Sequence, residues 1–379
     1  MTGVPTWRGA TGWRSVVVVA AVVASLVGVA LLVALPSGER SGRTEPPPPA
    51  TGGPAEPQPE VAPKRIGYVP YWDQRRGFAV VRQHLDLFDQ VSPVWYSLDP
   101  DGDIVLADAE HTTVDRRTVQ FLQSRGIEVI PTVTDLRDGD WQPSLVREML
   151  HDPAATRRHI RQLVELAARE GYDGIDIDYE DLQAEDRQRF SAFLTELGAA
   201  LRATGRVLAT SVHPKTSDEG DDDRNLAQDY VAVGAAVDQL RVMAYDYSWE
   251  ESPPGPMAPA GWVEDVIAWT VTQVPAHKVF LGVVLMGIDW ADGRGTTVDH
   301  REARDTAQEH GARIHRSADG SAWYRYRDSS GVWHEVWFED ARSARAKLSV
   351  VSRYGLGGAF FWRLGGEDPR VWPQVGEQL

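Results

Sequence analysis

Gly171-Tyr172-Asp173-Gly174-Ile175-Asp176-Ile177-Asp178-Tyr179-Glu180 is the stretch on which the reading of this chain turns. Side chains along a strand alternate between its faces, so Asp176, Asp178 and Glu180 share one face and Ile175, Ile177 and Tyr179 the other. An apolar face of this kind packs against other elements, which sets the stretch apart from an exposed edge strand of alternating charge. The acids then climb an interior, where charge is unfavourable to bury. Repulsion between neighbouring carboxyls raises a pKa, so Asp176 and Asp178 are expected to share a proton while Glu180, at the strand's end, is held protonated near neutral pH. A protonated carboxylic acid placed at a rim is a general acid. Alternating carboxylates also suit Ca²⁺ or Mg²⁺, but a linear ladder on one strand does not by itself surround a cation.

Working outward, short β-branched and apolar runs recur at Arg65–Trp72, Gln90–Leu98, Ile127–Asp135, Arg206–His213, Gln239–Trp249, Val279–Gly287 and Gly357–Leu364, which with Gly174–Glu180 makes eight. Helical spacing fills the intervals Ala154–Glu170, Asp186–Thr204, Trp262–Val274 and Phe338–Tyr354, the first opened by Asp152-Pro153, a cap followed by Pro at the first helical position. Alternating strands and helices imply a parallel sheet, and eight such units imply an α/β fold closed as a (β/α)8 TIM barrel. The interval between the seventh and eighth strands breaks the rhythm. A helix pattern near Thr297–His310 and alternating aromatic runs at Ala322–Arg327 and Val332–Phe338 predict a small α+β insertion at about residues 290–340. Active sites of such barrels lie at the C-terminal ends of the strands, so the insertion is expected to wall the cleft.

The 379 residues carry a formal charge of −16 and no cysteine. The four Arg and four Glu among the first 63 residues cancel, so the negative excess lies in residues 64–379, which argues against a nucleic-acid partner. Absence of cysteine excludes disulfides, thiolate chemistry and Cys-ligated metals. Val16 to Leu35 is a run of twenty uncharged residues, long enough to cross ~30 Å of hydrocarbon. Arg8 and Arg14 precede it without an acidic residue, so the positive-inside rule predicts a cytoplasmic N-terminus at residues 1–14, a transmembrane signal anchor at 15–35 and an exported remainder. Secretion after cleavage is the alternative, but the best small-x-small site, Gly28-Val29-Ala30, lies inside the apolar run. Residues 36–63 hold nine of the 24 prolines and almost nothing apolar, and are expected to form an extended, Pro-rich tether to a single domain at 64–379.

The motif Asp173-x-x-Asp176-x-Asp178-x-Glu180 resembles the acidic signature of family 18 glycoside hydrolases, the chitinase-like enzymes, on their fourth barrel strand. Met243-Ala244-Tyr245-Asp246 resembles that family's sixth-strand motif, and Trp362 matches the tryptophan that floors the central sugar subsite. Gly67-Tyr68-Val69-Pro70-Tyr71-Trp72, Trp337-Phe338-Glu339-Asp340-Ala341-Arg342-Ser343 and Phe361-Trp362-Arg363-Leu364-Gly365 are similar to the bacterial branch of spore-cortex-lytic and cell-wall N-acetylglucosaminidases. The resemblance implies a glycosidase that acts on an N-acetylglucosamine-containing polysaccharide, uses the substrate's own 2-acetamido oxygen as nucleophile, and needs no metal or organic cofactor. Carried over by motif, Glu180 is the acid, Asp178 orients the acetamido group, Asp176 tunes Asp178 and Tyr245 holds the acetamido oxygen. Asp246, Trp362, Met243, Tyr68 and Trp290 are the implied substrate contacts.

Taken alone, large rings are more often core than ligand contacts, and this reading stands beside the functional one for Trp72, Trp95, Trp249 and Trp290. His213 reads as a hydrogen-bonded structural histidine, and the acidic run Asp218–Asp223 as solvated surface. Two stretches depart from the family pattern: Pro131-Thr132-Val133-Thr134-Asp135 replaces Ser-x-Gly-Gly of many chitinases, and Met286-Gly287-Ile288-Asp289-Trp290 lacks two rings common in relatives. A lectin that has lost catalysis is the alternative function.

Overall fold

A computed structural model describes residues 62–379 except Asp138 and Asp221, so the expected anchor and most of the tether lie outside the described residues. Among the described residues no helix is long and apolar enough to cross a membrane.

Strands β1 (Lys64–Val69), β2 (Gln90–Leu98), β3 (Glu128–Val129, resumed at Thr132–Thr134), β4 (Gly174–Asp178), β5 (Val207–Val212), β6 (Gln239–Val242) and β7 (Val279–Val284) each pair in parallel with the next. β7 pairs with the last barrel strand, Gly358–Trp362, which pairs back onto β1, so eight parallel strands close in chain order. Register sets Thr132 and Thr134 beside Asp176 and Asp178.

The outer face of β4 explains its burial. Ile175 and Ile177 are wholly enclosed, and the Tyr179 hydroxyl bonds His159 Nε2 at 2.7 Å on helix α1 (Pro153–Glu170) while its ring stacks on Phe193 of α2 (Arg187–Arg202). Asp152 caps α1 by accepting the Ala154 N–H at 2.8 Å, and Gly171 ends it with φ 74°, a left-handed conformation that favours glycine.

Several barrel strands are shorter than their apolar runs, β1 and β6 among them. β1 stops at Val69 because Pro70 has no N–H to donate, and Tyr71–Asp73 forms a 3₁₀ turn. β6 stops at Val242: the Tyr245 N–H turns back to the Met243 carbonyl at 2.7 Å, and Asp246 follows with φ 60°.

The insertion begins at Gly287, slightly earlier than the expected 290. It consists of β8 (Gly287–Ala291), β9 (Arg294–Val298), helix α3 (His300–Glu309), β10 (His315–Arg316), β11 (Ala322–Arg327) and β12 (Trp333–Phe338). The strands form one antiparallel sheet in the order β9-β8-β12-β11-β10. Val284 is the last β7 residue in register with the barrel, and Gly287 already pairs with Val298 and Phe338, which is why the apolar run across 279–288 divides there. One sheet face and α3 enclose a small core of Ala303, Ala307, Tyr324, Val336 and Phe338; Ile288 and Trp290 on the other face join the barrel core. The chain returns through α4 (Ala341–Tyr354) to the last barrel strand, which in chain order is β13 (Gly358–Trp362).

Candidate active site

Asp176 sits lowest in the ladder and is fully enclosed. Its Oδ2 accepts the hydroxyls of Tyr68 and Thr132, each at 2.7 Å, and lies 3.1 Å from Nη1 of Arg241, an equally buried residue on β6. Asp178, one pleat higher, is nearly buried, and its Oδ1 has no hydrogen-bond partner among the described residues. Burial, then the charges of Asp176 and Asp135, push the Asp178 carboxyl well above its usual range, against a smaller opposing pull from Arg241. The cation thus sits against Asp176, and Asp178 is the carboxyl driven toward the neutral form.

Glu180 follows at the barrel mouth, partly exposed. Burial of its carboxyl and the acids around it, Asp178 foremost, raise its pKa well above the ordinary value, as a general acid requires. Asp135, at the end of β3, accepts the Glu180 N–H at 3.2 Å. Burial pushes Asp135 up to about 7. Asp135 and Arg241 belong to this site although neither is part of the acidic motif. Their signal lay in strand position alone: Arg241 shares one face of β6 with Gln239, and Asp135 stood in the segment that departs from the family pattern.

Tyr245 and Asp246 follow β6 at the same end of the barrel. Tyr245 is 6 % exposed and stands edge-on to Phe360 with centroids 6.3 Å apart. Its space depends on Gly282, where a Cβ would come within 2.8 Å of the Tyr245 ring and 2.7 Å of the Val242 carbonyl. Met243 is buried beside it. Asp246 opens to the cleft, and the surrounding protein together with Glu250 pushes it up to about 7. Trp362 is partly exposed, edge-on to Tyr68 at 5.8 Å and to Trp72 at 6.3 Å, and its peptide bond to Arg363 is cis.

Two residues expected to touch substrate are placed elsewhere. The Tyr68 hydroxyl is taken up by Asp176, Arg241 at 2.8 Å and Ser211, so it supports the ladder from beneath. Trp290 is 2 % exposed within β8 and donates its Nε1–H to the Trp249 carbonyl at 3.3 Å; a ring enclosed in this way packs and has no face free for a sugar. Trp95 is likewise core, with its Nε1–H on Gln74 at 2.8 Å, whereas Trp249 is 48 % exposed on the loop after β6. His213 is buried, held neutral with a pKa lowered to about 4, and its Nε2 lies 3.2 Å from the Glu180 carbonyl oxygen. Within the acidic run, Asp218 pairs with Arg187 and Asp222 with Arg224. His151, Glu185 and Asp186 approach one another closely enough for a metal, but the Arg147 guanidinium already pairs with both carboxylates.

Residues 64–367 match the family described as glycosyl hydrolases family 18, and the chain belongs to that family. It is an enzyme of the glycosidase class. The chain is 33% identical over 264 residues to the cortical fragment-lytic enzyme of Bacillus subtilis (strain 168), covering 68% of this chain and 61% of that protein. It thus spans about three-fifths of that relative's length. The chitinase from Chromobacterium violaceum ATCC 12472 superposes with a TM-score of 0.78 at 29% identity, over 84% of this chain and 99% of that one. The spore cortex-lytic enzyme SleL of Bacillus cereus superposes at 0.76 with 25% identity, over 84% and 74%.

Proposed function

We propose that this protein is a membrane-anchored, extracytoplasmic glycosidase that cleaves β-1,4 linkages next to N-acetylglucosamine in peptidoglycan-type glycans, with retention and with the substrate's acetamido group as nucleophile. The observation that carries the reading is the vertical order of the ladder: Asp176 paired with the Arg241 cation, then Asp178, then Glu180 at the mouth, the upper two driven toward the neutral form by burial and by the acids around them. Glu180 donates its proton to the glycosidic oxygen as that bond breaks, and the acetamido carbonyl oxygen closes on the anomeric carbon. The carbonyl oxygen of the Asp178 carboxyl accepts the acetamido N–H, the negative charge of the ladder beneath it offsets the charge of the cationic ring, and Tyr245 holds the acetamido carbonyl oxygen in line. Glu180, now a carboxylate, takes a proton from the incoming water as its oxygen bonds to the anomeric carbon and the acetamido oxygen leaves, which restores the acetamido group and the Glu180 acid. The names of two relatives, cortical fragment-lytic enzyme and spore cortex-lytic enzyme, favour a cell-wall glycan over chitin. The uncharged run at 16–35 supports the anchor and the Pro-rich segment the tether.

Incubation with defined muropeptides and with N-acetylglucosamine oligomers, followed by product mass analysis, tests the assignment. Turnover of muropeptides and its loss in Glu180→Gln are expected; equal activity in that variant overturns the catalytic reading, and cleavage of the plain oligomers alone redirects it to chitin. An oligomer carrying free amines in place of acetamido groups should resist cleavage. Carbonate extraction of membranes from expressing cells should leave the full chain in the pellet.

A further inference from the structure

Arg241 has no place in the acidic motif, yet it is fully buried and contacts three barrel strands besides its own. Nη1 donates to the Tyr68 hydroxyl and to Ser92 Oγ, each at 2.8 Å, and lies 3.1 Å from Asp176 Oδ2. Nη2 and Nε donate to Gln239 Oε1 at 2.9 and 3.3 Å, and the guanidinium lies 5.4 Å from the centre of the Tyr68 ring. An arginine fork held at this many points cannot drift, and it stays charged in any protein interior. Tyr68 from β1 and Asp178 from β4 act directly on the Arg241–Asp176 pair, and Asp135 from the end of β3, Glu180 just past β4 and Tyr245 from the end of β6 interact in turn with Asp178. β7 and β13 present Gly282 and Phe360 to Tyr245.

We infer that Arg241 is a positioning residue that pins the ladder's negative charge on Asp176 and so forces the proton that two stacked carboxyls would otherwise share onto Asp178. The ladder is then asymmetric before substrate arrives: one fixed anion beneath, one neutral carboxyl above it. The kinetic form of the test rests on the glycosidase reading, in which the ladder must carry a negative charge opposite the cationic intermediate. Removing the guanidinium raises the pH at which that charge first forms.

In Arg241→Gln the acid limb of kcat/KM should therefore move to higher pH, by roughly one to three units for an Asp that loses an adjacent Arg. Arg241→Lys should return the limb most of the way. A limb that stays in place in a folded Arg241→Gln protein, or a Lys variant no nearer wild type than the Gln variant, overturns the inference. Infrared spectroscopy provides a reading that needs neither turnover nor a change at Arg241. At neutral pH the protonated-carboxyl band of the wild type should lose intensity in Asp178→Asn, and an unchanged band overturns the inference. Failure of the wild type to cleave any N-acetylglucosamine glycan counts against the proposed activity and leaves the infrared result to decide this point.

Discussion

The lower and upper halves of the acidic ladder lie one pleat apart and keep opposite company. Asp176 has a guanidinium and two hydroxyls on a single oxygen. Asp178 and Glu180 have other carboxyls as their neighbours and are driven toward the neutral form. A second compensated pair, Glu339 with Lys347, lies equally buried beneath the insertion. Where an acid supports the frame, the fold supplies a cation. Where it faces substrate, the fold withholds one and lets desolvation keep the proton.

The contrast breaks if substitutions in the two halves behave alike. Asp178→Asn should lower kcat by about 10²–10⁴-fold, yet leave thermal stability equal or higher, since a neutral amide replaces a neutral acid. Asp176→Asn should do the reverse in stability, losing about 3–5 kcal/mol because Arg241 is left as an unpaired buried charge; denaturant titration of the pair decides. Gly282→Ala should come next, at roughly 1–3 kcal/mol, because its methyl group meets the Tyr245 ring and a carbonyl oxygen. A Gly282→Ala protein of wild-type stability and KM would show that Tyr245 does not depend on that gap.

Asp135 sharpens the comparison through pH. Its folded pKa of about 7 lies above the value of a free carboxyl, so the folded state binds the extra proton and the stability it contributes is present in acid. That contribution falls away as pH rises from about 4 through 7. Asp135→Asn should remove this slope, so that the variant gains on the wild type in melting temperature between pH 5 and pH 8. His213 acts oppositely: held neutral down to about 4, it makes the fold less stable as pH falls from about 6.5 toward 4. The smallest effect is expected at the rings. Trp362→Phe should raise KM severalfold with kcat little changed, whereas Trp290→Phe should lower stability modestly and leave KM alone.

Much of this was legible in the chain. A period of two over Asp176, Asp178 and Glu180 can be satisfied in a closed barrel only one way, and eight strand-like runs announced the closure. Arg241 was not legible, because a single cation sharing a face with Gln239 on a short strand reads the same whether it faces solvent or a buried acid. The rings were ambiguous for a related reason. Trp95, Trp249 and Trp290 all fall near the ends of strand-like runs, but Trp95 lies within β2 and Trp290 within β8, where both are enclosed, whereas β6 stops at Val242 and leaves Trp249 on an exposed loop. The early start of the insertion was hidden by Met286-Gly287-Ile288, an apolar run with no break at the place where the hydrogen-bond partners change.

The insertion leaves and rejoins the barrel at neighbouring points: the Glu339 N–H bonds the Met286 carbonyl at 3.0 Å, and Gly287 faces Phe338 in register. The 52 residues from Gly287 to Phe338 thus hang from one hairpin base. Such an arrangement makes the insertion a module, open to shortening, exchange or grafting between related barrels by cutting at two adjacent bonds, with the eight closing strands and the acids inside them left in place.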